Sequence, residues 1–119
     1  EHYVKCKRML TNYRDSVDKL FEDVDVIITP STPIISPKLN CVNITTKGLT
    51  EPVGNAVTRF TSFFNMTGHP AITIPSGLHS KGLPMGVQLI GPQFGELSLL
   101  TLGKLIEENQ DFNIQKPSI

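Results

Sequence analysis

The chain has 119 residues, 39% of them apolar and 18% charged, with eleven basic and eleven acidic side chains that cancel to a net charge of zero. This length suits one domain around one modest core, and the balanced charge gives no electrostatic basis for holding nucleic acid or an anionic membrane surface. No apolar run approaches the ~18 residues needed to cross a bilayer, and no basic, then apolar, then small-residue pattern marks a secretory leader, so the expected setting is the cytoplasm.

In chain order, Tyr3, Cys6, Leu10, Tyr13, Val17, Leu20 and Phe21 recur at steps of three and four, with charged residues between them. The spacing predicts an amphipathic helix over His2 to Glu22 with a solvated charged face. The chain starts at Glu1 without a methionine and enters this helix at once, which reads as the middle of a longer protein. Val24 to Thr29 is a short β-branched run whose Val26-Ile27-Ile28 predicts an interior strand covered on both faces. Pro30, Pro33 and Pro37 remove donors and restrict their predecessors, so an extended, stiff loop is expected through about Thr50.

A second helix is predicted from Gly54 or Asn55 to about Met66, with Ala56, Phe60, Phe63 and Phe64 as its apolar stripe. Gly68 can take the positive φ that ends a helix, and Pro70 prevents continuation. Ala71 to Pro75 and Met85 to Ile90 read as two strands of a long-looped antiparallel hairpin, turned by the glycines and proline between Gly77 and Pro84. A third helix is expected over Glu96 to Asn109, with Leu99, Leu102, Leu105 and Ile106 inward and Glu96 well placed in the first turn. The tail through Lys116-Pro117-Ser118-Ile119 is expected to fray. This order of elements indicates α/β layers with a mixed sheet, and so few strands imply missing neighbours.

The residues hold no Gly-x-Ser-x-Gly elbow, phosphate-binding loop, dinucleotide fingerprint or paired histidines at metal spacing. Cys6 and Cys41, far apart and without ligand spacing, are expected to be reduced. The sequons at Asn43 and Asn65 read as chance matches of a short pattern. Ser76, between Pro75 and Gly77 at a strand end, is where a nucleophile could sit, but with no histidine or lysine at a telling position it reads as a turn serine. His69 beside Pro70 reads as a helix-end residue bonded to local carbonyls rather than a general base. His2 and His79 look exposed and are uninformative. Thr58, Thr61, Ser62 and Asn65 share the helix face opposite the phenylalanines, and such an uncharged polar stripe either lines a pocket or bonds back to the helix and to water. Arg59 either holds a carboxylate or is solvated.

Several ordered motifs carry a resemblance. They are Asp25-Val26-Ile27-Ile28-Thr29-Pro30-Ser31-Thr32-Pro33, Thr58-Arg59-Phe60-Thr61, the run from Phe64-Asn65-Met66-Thr67-Gly68-His69-Pro70 through Ser76-Gly77, Gly82-Leu83-Pro84-Met85-Gly86-Val87-Gln88-Leu89-Ile90-Gly91-Pro92, then Glu96 and Leu99-Leu100. In register from about Val24 to Glu108, they resemble the C-terminal end of the amidase signature family. The resemblance implies an α/β fold in which residues 1–119 form the C-terminal segment of an α/β/α sandwich with a mixed β-sheet. It implies hydrolysis of a carboxylic amide by a serine nucleophile working through a second serine in a cis peptide and a lysine. That triad and its Gly-Ser-rich stretch lie upstream of the region matched, so no catalytic residue is carried onto this sequence and the piece alone is expected to be inactive. The second helix and the Thr-Pro-x-x-Pro loop fall on the family's substrate-facing side, which makes Thr58, Thr61 and Asn65 the candidate substrate-binding residues. A small-molecule amide is the implied partner, with no metal, cofactor, nucleic acid or membrane, and with possible homo-oligomers through the uncovered faces. Two alternatives remain open: an amidase-like subunit of a tRNA-dependent amidotransferase, which neutral charge and the Arg-Phe-Thr-x-x-Phe-Asn stretch weigh against, and a noncatalytic binding or oligomerisation domain on the same scaffold.

Overall fold

The structure, a computed structural model, describes residues 1–110, so the tail through Ile119 lies outside the described residues. The elements are α1 (His2–Leu20), β1 (Ile27–Pro30), β2 (Asn43–Thr46), β3 (Leu49–Pro52), α2 (Val53–Thr58), α3 (Thr61–Thr67), β4 (Ala71–Leu78), β5 (Pro84–Ile90) and α4 (Glu96–Glu108). Three strands form a sheet in the order β1-β5-β4, and β2 with β3 forms a separate ribbon. Every pairing among the described residues is antiparallel, so the chain's own share of the sheet is antiparallel.

Because side chains alternate along a strand, the register sorts the sheet into two faces. Val87 and Leu89 of β5 lie beside Ile74 and Ile72 of β4 on one face, while Gln88 lies between Thr29 of β1 and Thr73 of β4 on the other. The first face is the core: Ile74, Leu89 and Leu99 are buried, with Val26, Ile72, Val87, Leu102 and Ile106 packed against them. Helix α4 lies close over it, since a Cβ on Gly103 would stand 3.3 Å from Ile74 Cδ1. The second face meets the junction of α2 and α3, where the Gln88 amide donates to the Phe60 carbonyl at 3.3 Å. Behind α3 packs α1, with the Tyr13 and Phe63 rings edge-on at 6.0 Å. Helix, sheet and helix layers make this the α/β fold expected.

Helix α1 ends at Leu20, two residues short of the expected Glu22, tightening through bonds from Phe21 N to Asp18 O and from Glu22 N to Lys19 O, the three-residue step of a closing turn. Its apolar stripe is little used: Val17 is buried, whereas Tyr3 is 72% and Leu20 54% exposed. Strand β1 departs from the interior position expected of it, lying at the sheet edge among the described residues with Ile28 60% exposed. The stiff loop is interrupted by the β2–β3 ribbon, turned at Lys47 and Gly48, which both take positive φ (49 and 83), the pair of conformations that matches strand twist in a two-residue hairpin. Leu105, expected inward, is 56% exposed on the outer side of α4. No helix among the described residues is long and apolar enough to cross a membrane.

The second helix breaks in two at Arg59 and Phe60. Val57, Thr58 and Thr61 are poor interior helix residues because branching restricts χ1. Thr58 also donates its hydroxyl back to the Gly54 carbonyl at 2.8 Å, a bond that bends helices. The capping expectation holds at Gly68, which has φ 78 and donates its N–H to the Phe64 carbonyl at 2.8 Å, closing the helix in the left-handed conformation. In the hairpin, Pro75 pairs with Gly86 and Gly77 with Met85, so Ser76 is the extra residue of a bulge, the device that re-aims a side chain out of the ladder.

Candidate functional site: a loop-lined cleft and a polar helix wall

The Thr-Pro-x-x-Pro loop leaves β1 and folds back over the end of the hairpin. Ser31 N donates to the Gly86 carbonyl at 2.9 Å, and the Ser31 hydroxyl lies 3.3 Å from Thr73 Oγ1. This close approach requires glycine at position 86: a Cβ there would stand 3.0 Å from Thr73 Cγ2, 3.1 Å from Ser31 Oγ and 3.3 Å from the Ile74 carbonyl. Between loop and hairpin lies a cleft of about 300 Å³, lined by Pro30, Thr32, Pro33, Ile34 and Ile35 on the loop side and by Ser76 and Pro84 through Val87 on the other. Its size is at the small end for ligand pockets, and a mostly apolar lining with a few hydroxyls is their usual make-up.

None of Thr58, Thr61 and Asn65 lines this cleft. They lie along the broken helix instead. The Thr58 hydroxyl donates to Gly54 O, and that of Thr61 donates to Thr58 O at 3.3 Å, so both protons are returned to the helix while the oxygens keep acceptor capacity. Asn65 is exposed. Arg59 holds a carboxylate: its guanidinium is hydrogen-bonded and ion-paired to Glu51 of β3. The broken helix is thereby tied to the β2–β3 ribbon.

His69 does not bond local carbonyls. Its ring is buried, with Nδ1 2.9 Å from the Thr67 hydroxyl and Nε2 3.0 Å from the Asp18 carboxylate, and it stacks on Phe21 at 5.6 Å between centroids. Arg14 Nε joins from the same helix, donating to the Thr67 carbonyl at 2.8 Å. The cluster clamps the end of α1 to the end of α3. Sequence reasoning missed Asp18 and Arg14 because both belong to a face that reads as solvated. His79 accepts from Lys81 N inside the hairpin turn. Among the described residues no three His, Cys, Asp or Glu side chains are grouped to hold a metal ion, and both cysteines are free thiols.

Layered helices on a sheet, with a pocket walled by a proline-rich loop at the strand ends, define an α/β scaffold with a loop-lined cleft. The amidase family model matches residues 1–100, and the chain belongs to the amidase family. It is similar to a glutamyl-tRNA(Gln) amidotransferase subunit from Azorhizobium caulinodans, 38% identical over 109 residues that cover 90% of this chain and 21% of that protein. Among solved structures it resembles a chain from a vestigial protein complex that reveals the evolutionary origins of an s-triazine catabolic enzyme. The TM-score is 0.88 at 30% identity, covering 96% of this chain and 25% of that one. It also resembles 6-aminohexanoate cyclic dimer hydrolase, with a TM-score of 0.84 at 26% identity over 97% of this chain and 26% of that one. The chain spans between a fifth and a quarter of the length of the curated relatives it matches.

Proposed function

We propose that residues 1–119 are the noncatalytic C-terminal part of an amidase that hydrolyses a carboxylic amide to an acid and ammonia or an amine. The observation that carries this reading is the amidase family match over residues 1–100 in a chain that spans between a fifth and a quarter of its relatives' length. The nucleophile, the cis-peptide serine and the lysine are assigned to residues outside this chain, where a desolvated neutral lysine relays the proton and backbone donors hold the oxyanion. Exposed surface supports the same reading. Ile28, Phe94 and Leu97 are each more than half exposed, apolar area suited to covering by the rest of such a protein. Thr58, Thr61 and Asn65 are assigned to the amide-binding wall: the exposed amide of Asn65 offers donor and acceptor together, and the threonine oxygens accept. Purified residues 1–119 are expected to turn over simple amides no faster than buffer. Reproducible turnover that disappears in Ser76→Ala would overturn the assignment.

One observation favours a second reading. Identity of 38% to a glutamyl-tRNA(Gln) amidotransferase subunit supports an amidase-like subunit that passes liberated ammonia to a partner protein. Glutaminase activity stimulated by aminoacylated tRNA would select this reading over a free-standing amidase.

A further inference from the structure

A glutamine sealed inside a sheet costs free energy unless its amide is satisfied. Gln88 is 3% exposed on β5, the central strand, where an apolar residue would be the ordinary choice. Its Nε2 donates to Thr29 Oγ1 at 3.3 Å and to the Phe60 carbonyl at 3.3 Å. Thr29 is its register partner on β1, so that bond is a cross-strand contact. Phe60 is 28 residues away in sequence, at the break between α2 and α3.

Among the described residues, the other side-chain hydrogen bond that ties the break to a separate element is the Arg59–Glu51 pair, with side chains 45% and 14% exposed. A partly exposed ion pair of this kind constrains weakly, so the buried amide sets where the break sits over the sheet. Thr61 follows Phe60 directly, Thr58 precedes it by two residues, and Asn65 lies little more than one helical turn beyond. Whatever fixes the Phe60 carbonyl therefore fixes all three side chains of the wall.

We propose that Gln88 is a positioning residue for the amide-binding wall, an inference that rests on the assignment of Thr58, Thr61 and Asn65 to that wall. The wall meets substrate and transition state alike, so its displacement weakens binding and leaves the chemical step alone. In the natural enzyme that carries this chain, Gln88→Met keeps the side-chain length and removes both donors. Its KM for the amide rises on the order of tenfold while kcat stays within about twofold. An unchanged KM in Gln88→Met overturns the inference. Asn65→Ala and Thr61→Ala separate it from the reading beneath. If these move KM and Gln88→Met does not, Gln88 alone is refuted; if neither moves KM, the wall assignment itself fails. Should Gln88→Met not fold, the wild-type enzyme decides. Solvent exchange of the Gln88 side-chain amide protons, measured by NMR, is slowed on the order of a hundredfold when both bonds hold, and exchange at the rate of a free amide overturns the proposal.

Discussion

Leu89→Ala is expected to lower unfolding free energy by about 3–5 kcal/mol, the upper part of the range for truncating a buried leucine. Leu89 has no exposed surface and sits on the central strand between Ile28 and Ile72 in the register, packed with Ile74 and Leu99. Strands on both sides and α4 above leave little that can collapse into the space vacated. In urea the midpoint should fall by about 2–3 M with an unchanged slope, since the surface exposed on unfolding is nearly the same. Ile28→Ala makes the useful contrast, because Ile28 faces Leu89 across the strands yet is 60% exposed. Its cost is within about 0.5 kcal/mol where Ile28 stays in water and about 2 kcal/mol or more where further protein covers β1. A Leu89→Ala cost below about 1 kcal/mol would contradict the core described.

His69→Ala is expected to cost about 2–4 kcal/mol, since it deletes a buried ring and two hydrogen bonds together. The ring is 5% exposed, stacks on Phe21 and joins Thr67 to Asp18. After truncation the sealed Thr67 hydroxyl keeps only its 3.3 Å bond to the Phe64 carbonyl, and α1 loses its Asp18 tie to this turn while keeping the bond from Arg14 to the Thr67 carbonyl. Asp18→Asn should cost less, about 1 kcal/mol or under, because that carboxylate is 45% exposed and screened by water. A double-mutant cycle on the two positions, read by urea unfolding, should return a coupling of about 0.5 kcal/mol or more. Strictly additive effects would mean that the contact does not hold α1 in place.

The parts of this fold that were legible in the sequence are those fixed locally. The three- and four-residue apolar steps gave α1 and α4, alternation between glycines and prolines gave β4 and β5, and Gly68 gave the end of α3 at its observed φ of 78. The β2–β3 ribbon was missed because Asn43-Ile44-Thr45-Thr46 carries one apolar residue and therefore no period, although Lys47-Gly48 was a usable turn signal. The break at Arg59–Phe60 was missed for a different reason. The apolar stripe of Ala56, Phe60, Phe63 and Phe64 runs through it and hides the β-branched Val57, Thr58 and Thr61 that mark the bend, while the Gln88 amide that the Phe60 carbonyl meets lies on a strand 28 residues later. The same limit applies to the site. The Thr-Pro-x-x-Pro loop was marked by its prolines and does wall the cleft. Gln88 stood out only as one polar letter in an apolar strand, and its two partners are set by tertiary contact that no spacing reveals.

The account turns on where the acylated serine lies. Treating the natural protein that carries this chain with a fluorophosphonate and mapping the adduct by peptide mass spectrometry answers this, because only an activated serine reacts at an appreciable rate. The account predicts an adduct outside these 119 residues, with Ser76 unmodified; an adduct on Ser76, or on any other serine of this chain, would contradict it.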